Sequence, residues 1–200
     1  ELEKVLSKIF SRSINTIGAS RTDRGVHAIN QYCTFEVDES INAKKLLHSV
    51  NSLLSDYVHV KSIKKVNEEF NVRHDVKRKE YIYKINMGEY NPLERKYVYQ
   101  HNGKLDVVEM QRAMKYLEGT HSFKAFVCGD DERDDYVRTL SQTNIIRDLK
   151  DVSKITLVFV GNGFMRYMVR NMVGTLIEIG EGKRRSEEII DILNSEDRTK

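Results

Sequence analysis

ITLVFVGNGFMRYMVRNMVGTLIEIGEG, residues 155 to 182, changes its period part-way along, and that change decides the fold class. Residues 155–161 are almost continuously apolar and rich in β-branched side chains, which predicts a strand. From Met165 the apolar residues recur at helical spacing instead. Met165, Met168, Val169, Met172, Val173, Leu176 and Ile177 form one stripe, and Gly180 and Gly182 stop it. Arg166 and Arg170 fall at one edge of the stripe, one turn apart, beside Val173 and Ile177. Arginines so placed ordinarily reach to water from the rim of a core. The alternative is that one turns inward to pair with a carboxylate, and the spacing permits both.

Outward from this stretch, helical and strand periods alternate irregularly. Leu2, Val5, Leu6, Ile9 and Phe10 make an amphipathic helix at about 2–10, and 42–51 reads as a second. Ile29, Cys33, Phe35 and Val37 share one face of a predicted strand. Alternation returns from Tyr57 to Val66 and in Tyr81, Tyr83, Ile85 and Met87. Pro92, the single proline, marks a connection, and the division into an N-terminal half (1–90) and a C-terminal half (91–200) is placed there. Asp106 and Glu109 predict a capping box for a helix that Gly119 ends, and a last helix begins at Ser186. Amphipathic strands with irregular alternation predict an α+β fold with an antiparallel or mixed sheet, not a doubly wound parallel one.

Composition narrows the class. The 200 residues are 40% hydrophobic and 32% charged, as in a globular chain with a real core. No apolar run is long enough to span a bilayer, and the charged first helix is not a signal peptide. Cys33 and Cys128 are far apart, without the spacing of a disulfide framework or a zinc site, so the cytoplasm is the expected compartment. The net charge is only +3, but Lys and Arg gather between Lys61 and Lys84, either as a solvated face or as a phosphate-facing one. GDDERDD at 129–135 is expected to be a solvated acidic loop.

GASRTDRGVHA at 18–28 packs reactive side chains around a turn. Asp and Gly alone would be turn chemistry, which leaves the density of Arg, Thr and His unexplained. Four stretches answer it together: GASRTDRGVHAINQ, FNVRHDVKRKEYIYKI, LEGTHSFKAF and GFMRYMVRNMVGTLIEIGEGK. In order and spacing they resemble the tRNA pseudouridine synthase A family. The family's Arg-Thr-Asp-x-Gly-Val-His-Ala core stands intact, and its helical Met-Val-Arg-Asn followed by Val-Gly stands as MVRNMVG.

The resemblance implies a central, mainly antiparallel sheet built from two related halves, flanking helices and a cleft between the halves. It implies isomerisation of uridine to pseudouridine in the anticodon stem-loop of tRNA (positions 38–40), by a homodimer without metal or organic cofactor. It also implies that the family's first and last strands lie beyond this chain. Asp23 would be the carboxylate that frees the base, by covalent attack or by removing a sugar proton. Gly25 would let a flipped-out nucleotide approach closely. Arg170 would keep the carboxylate ionised where burial would protonate it. Tyr81 would stack on the base, a contact worth roughly 1–3 kcal/mol. Arg21 matches a family arginine that helps hold the flipped nucleotide and its phosphate, Arg73 aligns with another family arginine and is expected to bind the RNA, and His27 is a polar support or an RNA contact. Lys77, Arg78 and Lys79 suit phosphates. His74 and Ser55 stand where an aromatic and a Pro are usual in the family. A rival reading is a catalytically weak tRNA-binding module of the same fold. A carboxylate hydrolase ranks last, because the motif offers no second acid near Asp23.

Overall fold

The computed structural model of the chain describes residues 1–38, 40–127 and 134–197. Cys128 and all of the acidic stretch except Asp134 and Asp135 lie outside those residues. The chain forms two compact units, Glu1–Val76 and Lys77–Lys200.

In the first unit, α1 (Leu2–Ile9) and α2 (Ala43–Leu53) pack through Val5, Leu6, Leu46 and Val50, with Ile14 between. The α1 stripe is the one read from the sequence. Asn42 caps α2 by accepting from the Lys45 amide at 3.1 Å. Two short strands, β1 (Ile17–Gly18) and β2 (Cys33–Thr34), pair antiparallel. The strand expected across 29–37 is therefore reduced to two residues. The strand expected at 57–66 does not form. The Asn51 side chain takes its place as a partner: it donates to the Val60 carbonyl at 2.9 Å and accepts the Val60 amide at 2.8 Å. One residue is tied down this way, and Tyr57, 95% exposed, belongs to no buried face.

The second unit contains a five-stranded sheet. Its strands are β3 (Lys79–Asn86), β4 (Tyr99–Gln100), β5 (Gly119–Ser122), β6 (Val137–Arg147) and β7 (Lys154–Gly161). They run in the order β4-β3-β7-β6-β5, antiparallel except for the short β3–β4 pair. Tyr81, Tyr83 and Ile85 lie opposite Phe159, Leu157 and Ile155 on one face. That face joins the core formed with α3 (Val107–Tyr116), α4 (Met168–Gly180) and α5 (Glu188–Ser195). The opposite face is more open: Ile82 is 44% exposed, so the apolar run of β7 is buried chiefly through its alternate residues. This is an α+β architecture with a mixed, mainly antiparallel sheet, as the sequence predicts.

Close approach dictates one glycine. A Cβ at Gly161 would come within 2.8 Å of both Leu140 Cδ2 and the Thr139 carbonyl, beside the irregular register between Leu140 and Gln142. At the start of α3, Asp106 accepts from the Val108 and Glu109 amides, as a helix cap should. The reciprocal half of the capping box is absent. The Asp106 amide donates instead to the Gly180 carbonyl at the end of α4, 2.7 Å away, and Glu109 turns to Arg112 and Ser186.

After α3, Glu118 ties the helix to the sheet. It accepts from the Thr143 amide at 2.7 Å, the Thr143 hydroxyl at 3.0 Å and the Lys115 ammonium at 2.7 Å. Burial works against the carboxylate, but the Lys115 ammonium and the two Thr143 bonds outweigh it and hold its pKa below the usual value. A lowered folded pKa stabilises above the unfolded value, about 4.3 for Glu, and that stability is lost as pH falls through the folded value. A Glu118→Gln variant should therefore melt lower than the parent at neutral pH, with the gap closing below about pH 4. Thermal melts across pH 3 to 7 measure this, and a gap that is constant with pH would refute the role of its charge.

Candidate functional site

In the first unit the GASRTDRGVHA stretch hangs between β1 and β2. The Ala19 amide donates to the Tyr32 carbonyl at 2.9 Å, and Gln31 Nε2 donates to the Ser20 carbonyl at 2.6 Å. These bonds close the base of the loop. At its tip the Val26 amide donates to the Asp23 carbonyl at 3.0 Å, and Gly25 has φ of +85°. Asp23 to Val26 is thus a turn whose third residue needs a positive φ, which Gly supplies without steric cost. Arg21, Arg24 and His27 are exposed, and Asp23 is half-buried. The loop holds a carboxylate amid positive or ionisable side chains, where a polyanion can reach them. Arg73 also stands exposed, in a turn where Asn71 Oδ1 accepts its amide at 2.9 Å, while Val72 beside it is buried.

In the second unit Tyr81 is half-buried, edge-on to Phe164 with ring centroids 4.8 Å apart. Lys79 and Tyr83 share its face of β3. Burial, and then the charge of Arg138, push the Lys79 pKa down. Lys77 and Arg78 are exposed, and Arg78 lies 3.6 Å from Glu80.

Arg170 sits in the first turn of α4, with its guanidinium 4.8 Å from the centre of the Tyr167 ring. The Arg166 guanidinium lies 4.9 Å from the same ring. The two arginines at the edge of the stripe therefore meet on an aromatic ring, a cation–π arrangement. Tyr167 itself has φ of +62°, a left-handed conformation that costs a non-glycine residue roughly 1–2 kcal/mol. Such strain persists where neighbours impose it, and it clusters at functional sites.

Beside this ring opens a recess of about 470 Å³, lined by Tyr83, Tyr99, Tyr167, Arg170, Asn171, Val173, Gly174 and Ile177. The Tyr83 and Tyr99 rings are 6.4 Å apart. Burial pushes the Tyr83 hydroxyl up from its usual pKa and the neighbouring Tyr99 adds to this, while the Arg170 guanidinium pulls the other way. The net rise keeps the phenol neutral and able to donate. Sequence reasoning placed Tyr83 in an alternating strand and gave no role to Tyr99 or Tyr167. The one available signal was the pair of arginines flanking Tyr167.

Over its whole length the chain is 39% identical to the tRNA pseudouridine synthase A of Thermoanaerobacter sp. (strain X514), of which it spans 81%. The chain belongs to the tRNA pseudouridine synthase A family. It is also 40% identical over 202 residues to the tRNA pseudouridine synthase A of Anoxybacillus flavithermus, covering all of this chain and 80% of that one. With a tRNA pseudouridine synthase A 2 of Bacillus cereus it shares 36% over 199 residues, 99% of this chain and 80% of that one. A family model described as tRNA pseudouridine synthase matches residues 113–200, which include α4 with Arg170 and the preceding Arg166. Members of the tRNA pseudouridine synthase A family are isomerases. Among the described residues no helix is long and apolar enough to cross a membrane, and no group of His, Cys, Asp and Glu is arranged to hold a metal ion.

Proposed function

We propose that this chain isomerises uridine to pseudouridine in the anticodon stem-loop of tRNA, acting as a cytoplasmic homodimer. Membership of the tRNA pseudouridine synthase A family over the full chain, with the Arg21-Thr22-Asp23 motif intact in an exposed loop, carries the proposal. The reaction breaks the C1′–N1 bond, turns the base and forms a C1′–C5 bond. The C5 hydrogen leaves as a proton and N1 gains one, so nothing is oxidised or reduced. Asp23 is the group that frees the base, either by attack on the sugar or base or by removing a sugar proton. Tyr81 stacks on uracil, and Arg170 brings positive charge to the reaction. Arg21 meets the flipped nucleotide, Arg73 and His27 contact the RNA around it, and Lys77, Arg78 and Lys79 meet backbone phosphates.

Tritium at uridine C5 of an unmodified tRNA transcript reports this chemistry directly, because the new bond expels that hydrogen. Release to water, with tritium in the anticodon stem-loop released and tritium elsewhere retained, is the expected result. Bound tRNA with no release would favour the tRNA-binding module instead.

A further inference from the structure

We infer that the recess beside α4 seats the base of the nucleotide next to the reacting uridine, and that Gly174 keeps it open. This rests on reading the chain as an RNA-modifying enzyme, and, Arg170 apart, it assigns residues that the chemistry above does not use.

Gly174 is the starting point. It lies inside α4, where glycine is less favourable than alanine. Packing offers no reason for it: a Cβ there would meet nothing within 4 Å. Gly180, in the same helix, makes the contrast, since its Cβ would fall 2.7 Å from Met110 Sδ. Gly174 instead lines the recess, and a side chain at that position would project into space that is now empty.

The lining suits a base. Tyr83, Tyr99 and Tyr167 present rings, and every base has a face on which a ring can stack. The volume is that of a small-ligand site. Arg170 offers planar donors to the edge of a base. Asn171 is held in place by donating to the Phe126 carbonyl at 2.8 Å. Of the lining residues Arg170 is the cationic one, beside three phenols, a lining better suited to the face and edge of a base than to a phosphate.

The position of the recess along β3 indicates which base it takes. Tyr81, assigned to the reacting uracil, is not among the lining residues and packs on Phe164 instead. Tyr83 follows two residues later on the same face, about 7 Å along the strand. That is about twice the 3.4 Å rise of stacked bases, the spacing of neighbouring bases drawn apart.

The test measures binding of an unmodified tRNA transcript to the parent, Gly174→Leu and Tyr99→Ala at several salt concentrations, with thermal melts alongside. Gly174→Leu should melt no lower than the parent, because a good helix former enters open space. Both variants should bind tRNA roughly tenfold or more weakly, with an unchanged dependence of log Kd on log salt. Were Gly174→Leu to fail to fold, Tyr99→Ala decides alone, since Tyr99 is already 46% exposed. Parent-like binding by the folded variants would overturn the inference. A salt slope reduced by about one would mean a lost phosphate contact, and would overturn it as well. Weakened binding by both variants, with a parent that releases no tritium, would leave the recess assignment standing while the isomerase reading failed.

Discussion

On the proposed mechanism, replacing Asp23 by Asn should slow tritium release from tRNA by at least about four orders of magnitude while leaving tRNA binding intact. Asn keeps the shape of Asp and its aptitude for turns. The turn at the loop tip depends on the Asp23 backbone carbonyl and the positive φ of Gly25, both of which the substitution leaves alone. What disappears is the negative charge and the nucleophilic or basic oxygen. Either proposed route for freeing uracil needs that oxygen, so the loss should fall on the chemical step rather than on affinity. Single-turnover tritium release, with Kd measured separately, checks both halves. Equal release by parent and variant would remove Asp23 from the reaction.

Phe159→Ala should destabilise the second unit by about 3–5 kcal/mol, the usual cost of emptying a large aromatic from a packed core. Phe159 is 0% exposed and sits on β7, which pairs with β3 on one side and β6 on the other. It lies opposite Tyr81 in one register and Thr143 in the other. The cavity would therefore open on the covered face of a central strand, within the core that the sheet shares with the helices. The melting temperature should drop by about 10 °C or more, read by circular dichroism or calorimetry. Ile82→Ala, on the open face, is the comparison and should shift stability by less than about 1 kcal/mol. A Phe159→Ala loss no larger than that would mean the core is not organised around β7.

The parts of this fold that were legible in the sequence are those in which one signal acts alone. The stripes of α1 and α4, the apolar run of β7 and the Asp106 cap each depend on residues close in the chain. The parts that were not legible depend on a partner. Alternation at 57–66 suggested a strand, yet the Asn51 side chain, not a neighbouring strand, takes the hydrogen bonds of Val60. β6 went unread because its pattern is largely polar and its register shifts between Leu140 and Gln142, which breaks the period of two. The same division holds for the candidate site. The Asp23 turn is four consecutive residues and reads directly. The three tyrosines of the recess come from β3, β4 and the entry to α4, and no local pattern joins them.

The bond from the Asp106 amide to the Gly180 carbonyl has a consequence for the electrostatics of the second unit. It sets the partial positive end of α3 against the partial negative end of α4, so the two helix dipoles largely cancel at that joint. The other end of α4 has no such counterpart from α3. There the helix adds its own partial positive charge to the guanidiniums of Arg166 and Arg170, gathered on one ring. The partial charge of α4 is thus opposed at the Gly180 end and left standing at the end that holds Tyr167, beside two guanidiniums.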